Sequence, residues 1–378
     1  MSPNRIVVVG AGIIGASIGY HLVKRGAKVV IVEAVRPGGE TTEKSFGWIN
    51  ATFSKRPRAY FDLNQLGIAG WRRLEAEMGG EVKVQWGGSV QWCPEAWTPS
   101  AREAVAAMRE DVRRHQEWGY ATHLIEEHEF RRLLPNVAPG EFGAACYCEF
   151  EAAVDPVDAV KALLRQVREL GGQVRYPFQV AELKLERGQV AAVRGDDDSI
   201  DADIVVLASG VATERLAAMA GIKVPLKESQ GVLVHTRPQP KLIDRVVLAP
   251  DIYCKQKPDG RVVVGGPVVA GLGTADIKTP EPSAESMEDG QQMLREAARV
   301  LPGIRGVAVE RVTVGRRVMP VDEYPVVGFS DRCPNLYLAA MHSGITLAPL
   351  MGQLAATEIL DGVRVSLLEA YRPSRFTG

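Results

Sequence analysis

The run Gly10-Ala11-Gly12-Ile13-Ile14-Gly15 constrains the fold of this 378-residue chain more than any other feature. It follows Ile6-Val7-Val8-Val9, an unbroken β-branched stretch of the kind that forms a parallel strand buried on both faces. It opens a segment reaching about Arg25, with Ile14, Ile18, Leu22 and Val23 near helical spacing and Gly26 as a stop. Lys28 to Glu33 is a second strand, and its last residue is acidic. Strand, glycine turn, helix, strand and acid together form a dinucleotide-binding fingerprint. Gly10 permits the tight turn, Gly12 lets the backbone approach a pyrophosphate, and Gly15 lets helix and strand pack closely. The helix N-terminus, with Ile13 and Ile14, then stabilises phosphate charge. Glu33, with Ala34 beside it, is placed to accept hydrogen bonds from ribose hydroxyls. A carboxylate there repels a 2′-phosphate, which disfavours NADP. The fingerprint does not separate FAD from NAD.

Composition narrows the class further. With 45 basic against 46 acidic residues, the chain lacks the basic surface that nucleic-acid binding requires. No stretch reaches the ~18 apolar residues of a membrane span, and the first residues do not form a signal peptide. The five cysteines (Cys93, Cys146, Cys148, Cys254, Cys333) include no CxxC pair, so we expect free thiols and a cytoplasmic setting. Cys146 and Cys148 would share one face of a strand, but no His-rich segment completes a metal site, and none is expected.

Along the chain, residues 61–79 and 100–118 are expected to be helical, with strands from Val82 to Trp92 broken at Gly87-Gly88. A helix from Pro156 to Leu170 ends at Gly171-Gly172, and short strands follow to Asp203. Ile204 to Ala208 is again a fully apolar strand, followed by Ser209-Gly210 and a short helix. Residues 230–270 and 307–318 have the pattern of antiparallel strands, with a helix from about Ala284 to Leu301 between them. An apolar strand, Leu336 to Ala340, precedes a long helix closing at Asp361-Gly362, and Arg372 to Gly378 has the look of a tail. The expected fold is α/β (α+β overall): a Rossmann-like domain with an inserted antiparallel-sheet domain. The boundaries fall at 1–85, 150–225 and 319–378 for the nucleotide-binding part, and at 86–149 and 226–318 for the inserted part.

Four further segments carry a resemblance to a known family. They are Thr41-Thr42-Glu43-Lys44-Ser45-Phe46-Gly47, Ile252-Tyr253-Cys254 with the Pro258-Asp259-Gly260 turn, Gly315 to Gly328, and Met341 to Gly352. Over essentially its whole length the chain resembles the FAD-dependent D-amino acid, glycine and sarcosine oxidoreductases. The resemblance implies that Thr41, Thr42, Ser45, Phe46 and Gly47 line the pyrophosphate and flavin. It implies that His342, Ser343, Gly344, Ile345 and Thr346 meet the flavin's pyrimidine edge, where a helix N-terminus stabilises negative charge. Because proline breaks a helix when placed deeper than its first turn, Pro349 sets the expected start of that helix near Thr346 to Ala348. Val180 corresponds to the adenine-contacting residue, and Ser209-Gly210 to the turn after the next strand.

The resemblance implies that Arg317, in register with the family's arginine, pairs bidentately with the substrate carboxylate beside the flavin, with Arg316 on the opposite face of the strand. Tyr253 supplies a substrate-facing hydroxyl, and Trp48, Asn50 and His342 are candidates for the pocket wall. No cysteine lies in the segment where covalent-flavin relatives carry one, so FAD is expected to be non-covalent. The implied reaction is oxidation of the C–N bond of glycine, an N-substituted glycine or a D-amino acid, by hydride transfer to flavin N5. The resulting imine would hydrolyse to an oxo acid and ammonia or an amine. The aromatic Phe46-Gly47-Trp48 departs from the commoner family pattern and points to a bulkier substrate, such as a secondary amine with an alkyl arm. Two rivals remain: an NAD-dependent dehydrogenase, and a flavin-binding subunit of a larger complex without its own turnover. The sequence leaves open whether O2 or another acceptor takes the electrons, and the oligomeric state. It shows no clear counterpart of the lysine that sarcosine oxidases place near the flavin.

Overall fold

The computed structural model describes residues 5–94, 99–266 and 284–376. The part of the expected 230–270 strand region beyond Gly266, and the last two residues of the expected tail, lie outside them. A six-stranded sheet runs in the order Val326–Phe329, Leu336–Ala340, Ile204–Leu207, Ile6–Val9, Val29–Val32, Gln173–Arg175. All neighbours are parallel except the first pair. The four central strands need apolar residues on both faces because helices cover one face and a small three-stranded sheet with its own core covers the other. Helices Ile13–Lys24, Pro156–Glu169 and Gly344–Asp361 pack side by side against it. Pro156–Glu169 starts with Asp155 accepting from the amides of Val157 and Asp158, a side-chain N-cap followed by proline at the first helical position.

The second large sheet has eight strands in the order Val309–Arg316, Gln230–Thr236, Val262–Gly265, Tyr253–Gln256, Val246–Leu248, Ser89–Cys93, Ala144–Cys148, Thr122–Ile125. It departs from the expected antiparallel sheet at one seam, where Val246–Leu248 pairs in parallel with Ser89–Cys93. That seam joins two segments far apart in sequence, so no hairpin fixes their direction. A separate apolar core, including Val232, Val264, Leu294 and Ile304, lies beneath Ala284–Val300.

Two expectations are corrected. The helix that contains Pro349 begins at Gly344, so the proline is its sixth residue. The carbonyl of Ile345, which a non-proline amide at 349 would reach, instead accepts from the Trp71 indole at 2.8 Å. The C-terminal stretch is anchored rather than a loose tail. The Arg372 guanidinium donates to both oxygens of Glu358 at 2.9 and 2.6 Å, and Arg375 pairs with Asp322 at 2.7 Å. Both arginines are tied down by acids that precede them in the chain, which a local pattern does not register.

Candidate active site

The glycine turn is tight for a visible reason. Gly10 has φ +106°, and a Cβ there would lie 2.4 Å from the carbonyl oxygen of Ala208. At Gly15 a Cβ would fall 1.9 Å from the Gly10 carbonyl oxygen, so helix and turn touch through backbone alone. The first intrahelical bond runs from Ala16 N–H to the Gly12 carbonyl, leaving earlier amides at the open end of the helix. The amide of Ile13 donates to Thr42 Oγ1 at 3.1 Å, which ties the fingerprint to the loop expected beside it. Glu33 accepts from Ala11 N–H at 2.9 Å and from Val35 N–H at 3.2 Å, its carboxylate lying against the turn, while Ala34 is exposed. Thr41 donates to the Arg316 carbonyl at 3.0 Å, and Ser45 accepts from Gly47 N–H at 3.2 Å. Gly210 faces Thr41 and Val318, with Ser209 before it, and Val180 is buried in the core that also holds Val32.

The second focus is the N-terminus of Gly344–Asp361. Its first bond is Leu347 N–H to the Ser343 carbonyl, and Ser343 caps no amide with its side chain. Thr346 Oγ1 instead accepts from Asn50 N–H at 3.1 Å, drawing the strand Trp48–Ile49 against this helix end. The Asn50 side-chain oxygen is buried and has no partner among the described residues. Ser343 is flanked by Tyr60, whose hydroxyl lies 2.7 Å from Ser343 Oγ, and by Lys55, whose ammonium donates to the same oxygen at 2.5 Å. His342 opens toward solvent space in the cleft. His342 is exposed, yet loss of water around part of the ring, with the charges of Lys55 and Arg317 nearby, pushes its pKa down to about 4.

The eight-stranded sheet supplies the facing wall. Gly231 and Gly265 make it hollow. A Cβ at Gly231 would lie 3.0 Å from the Arg317 guanidinium, and one at Gly265 would fall 2.3 Å from the Tyr253 ring. Arg317 is half-buried and belongs to no ion pair among the described residues, whereas Arg316 is exposed. Burial raises the pKa of the Tyr253 hydroxyl, and the nearby Arg317 charge partly opposes this. The Tyr253 ring meets Phe46 edge-on with centroids 4.8 Å apart. Two residues further along the same strand face, Lys255 donates to the Val154 carbonyl at 2.8 Å and lies 5.4 Å from the Phe46 ring centre. Its burial lowers its pKa to about 7.

Trp48 is tied down at the edge of this space. Its indole donates to Glu151 at 3.0 Å, and Glu151 also accepts from Ser89 Oγ, from the amides of Ala51 and Thr52, and from Thr52 Oγ1. Burial raises the Glu151 pKa and these donors pull it back. Five donors and no other acceptor suit an ionised carboxylate that fixes the loop after Trp48.

Residues 5–358 match the DAO family, described as FAD dependent oxidoreductase. The chain belongs to that family. It is 27% identical to a glycine oxidase of Bacillus licheniformis, with 98% of this chain and 96% of the relative aligned. Its fold matches L-proline dehydrogenase from P. horikoshii with a TM-score of 0.86 at 23% identity, covering 100% of this chain and 98% of that one. It also matches glycine oxidase from Geobacillus kaustophilus, with a TM-score of 0.85 at 22% identity and coverage of 99% and 100%.

As a DAO-family oxidoreductase the chain uses FAD, and the nicotinamide reading of its fingerprint gives way. The residues present fit that cofactor. Two helices begin their backbone bonding only at Ala16 and Leu347, a glycine turn leaves no room for side chains, and the orphaned Asn50 oxygen can accept from a ring N–H. Three buried polar residues near these groups, Lys55, Glu151 and Lys255, were not identified from the sequence. Lys255 had a local signal, since it shares a strand face with Tyr253 in Tyr253-Cys254-Lys255. Lys55 and Glu151 had none, because their partners lie 288 and 100 residues away. Among the described residues, no group of three or more His, Cys, Asp or Glu could hold a metal ion, all five cysteines are free and buried, and no helix is long and apolar enough to cross a membrane.

Proposed function

We propose that this DAO-family enzyme oxidises a small amino acid at its C–N bond, with glycine, an N-substituted glycine or a D-amino acid as substrate. The observation that carries this reading is Arg317, a guanidinium without a carboxylate partner, held over Gly231 beside the Tyr253 hydroxyl. An unpaired guanidinium in a hollow calls for an anion, and a planar fork suits a carboxylate. Tyr253 orients the same carboxylate, and Phe46 and Trp48 exclude water along one side. His342, kept neutral, leaves room for an uncharged arm. The amides of Gly344, Ile345 and Thr346 would hold the flavin's pyrimidine edge, Gly10 to Gly15 with Thr41 and Thr42 would hold the pyrophosphate, and FAD so bound would supply the hydride acceptor. The chain's own part is to fix the Cα–H toward N5 and to favour the neutral amine, whose lone pair assists hydride loss. The imine product then hydrolyses outside the hollow to an oxo acid and ammonia or an amine.

We place the FAD-binding part at 1–85, 150–225 and 319–378, and the substrate part at 86–149 and 226–318. The electron acceptor is O2 or another oxidant, and five free, buried thiols favour the cytoplasm. Replacing Arg317 tests the carboxylate assignment. Charge-assisted hydrogen bonds contribute about 1.5–3 kcal/mol each, so Arg317→Ala should raise KM by roughly 10–100-fold, with the flavin spectrum retained. Arg317→Lys should recover only part, because a point charge loses the fork. An unchanged KM in Arg317→Ala contradicts the assignment.

A further inference from the structure

Lys55 is an ammonium buried without an anion. It is 8% exposed and forms no ion pair among the described residues. Glu151 is the one acid whose charge it feels, and that carboxylate is already engaged by five other donors. The contact Lys55 does make is with Ser343 Oγ at 2.5 Å, and Tyr60 hydroxyl lies 2.7 Å from the same oxygen.

The hydrogen-bond inventory then limits what Ser343 can do. An ammonium only donates, so Ser343 accepts from Lys55. If Tyr60 donates as well, both lone pairs of Ser343 are used and its own proton is left for an acceptor in the cleft. Ser343 Oγ accepts from no helix amide, because its side chain makes no capping hydrogen bond to Gly344–Asp361. Beside it the buried Asn50 oxygen, on a residue 8% exposed, lacks a donor. With Tyr60 as the donor, this end of the cleft offers an anionic carbonyl oxygen a hydroxyl backed by Lys55, whose burial lowers its pKa to about 8 so that it is charged below that pH, and offers a neighbouring ring N–H an acceptor.

We propose that Lys55, acting through Ser343, is a positioning residue that sets positive charge at the pyrimidine edge of the FAD and favours its reduced, anionic form. This rests on the placement of that edge at the 344–346 amides given above. Arg317 also lies near His342, but Lys55 is the cation that touches Ser343 directly.

The midpoint potential of the bound FAD, measured with redox dyes and without any amino acid, tests this in the holoprotein. Lys55→Met should shift the ratio of reduced to oxidised FAD binding by tenfold or more, a drop of about 30 mV for a two-electron couple. Lys55→Arg should restore most of it, and Ser343→Ala should lower the potential in the same direction. A Lys55→Met protein that holds FAD at the wild-type potential overturns the proposal. If that variant does not fold, an unchanged potential in Ser343→Ala overturns it instead. Loss of the potential shift while amino acids still bleach the flavin would sink Lys55 alone. A shift that persists while no amino acid bleaches it would sink the substrate reading alone.

Discussion

At the scale of single residues, the site depends on what two glycines leave out. Tyr253 leans over Gly265 and Arg317 over Gly231, on one face of the sheet. Gly265→Ala should displace the Tyr253 ring and lower kcat/KM by about tenfold or more, consistent with the sensitivity of catalysis to ~1 Å misplacement. Steady-state kinetics beside a melting curve would separate this from simple unfolding. Lys255 allows a prediction with a sign. Its folded pKa is depressed from 10.5 to about 7, so the unfolded chain binds more protons between those values. Stability from this group is therefore present above about pH 10.5 and is lost as pH falls toward 7. Lys255→Met removes a buried ammonium and should raise Tm more at pH 6 than at pH 9. Equal shifts at both pH values would mean that Lys255 is solvated. That Arg317 and Tyr253 lie close together was legible through the segments that carry the family resemblance, with Arg317 just past the strand Val309–Arg316. Lys55 was not, since nothing near it in sequence says that Ser343 will lie against it.

At the scale of elements, the helix Gly344–Asp361 shows how a proline is accommodated. Local rules put Pro349 in the first turn, and the sequence reading therefore started the helix too late. The structure starts it earlier and fills the lost bond with the Trp71 indole, a donor 274 residues distant. Such compensation comes from tertiary packing, which a local proline rule does not contain. Trp71→Phe should leave the part-buried Ile345 carbonyl without its indole donor and cost about 1 kcal/mol, readable in urea unfolding. A loss near zero would show that water or a shifted backbone takes over. The C-terminal stretch carries the same lesson through Arg372 and Glu358, which also accepts from Tyr337 at 2.9 Å.

At the scale of the whole molecule, two large sheets have separate cores, one carrying the glycine turn and the other Tyr253 and the strand that leads into Arg317. The nucleotide-binding sheet was legible because its central strands are continuous apolar runs with a glycine fingerprint between them. The second sheet was legible as strands but not in its order, because the parallel seam joins residues over 150 apart. Acid should act on the molecule as a unit. Burial holds His115 at about 4 and His235 at about 3, both below the usual 6.5. Stability that these neutral rings allow is lost as pH falls from 6.5 through 4 and 3, because unfolding then takes up protons. A Tm series should fall steeply below pH 6, less so in His115→Gln and His235→Gln.

The central claim is that FAD in this fold accepts electrons from the C–N bond of a small amino acid. Anaerobic mixing of the purified holoprotein with glycine, sarcosine and D-alanine, followed at ~450 nm, tests it most directly. The account predicts that at least one bleaches the flavin band, and that Arg317→Ala requires far more of it to do so. A flavin that dithionite reduces but none of these amines bleaches would contradict the account and favour a flavin-binding subunit without turnover of its own.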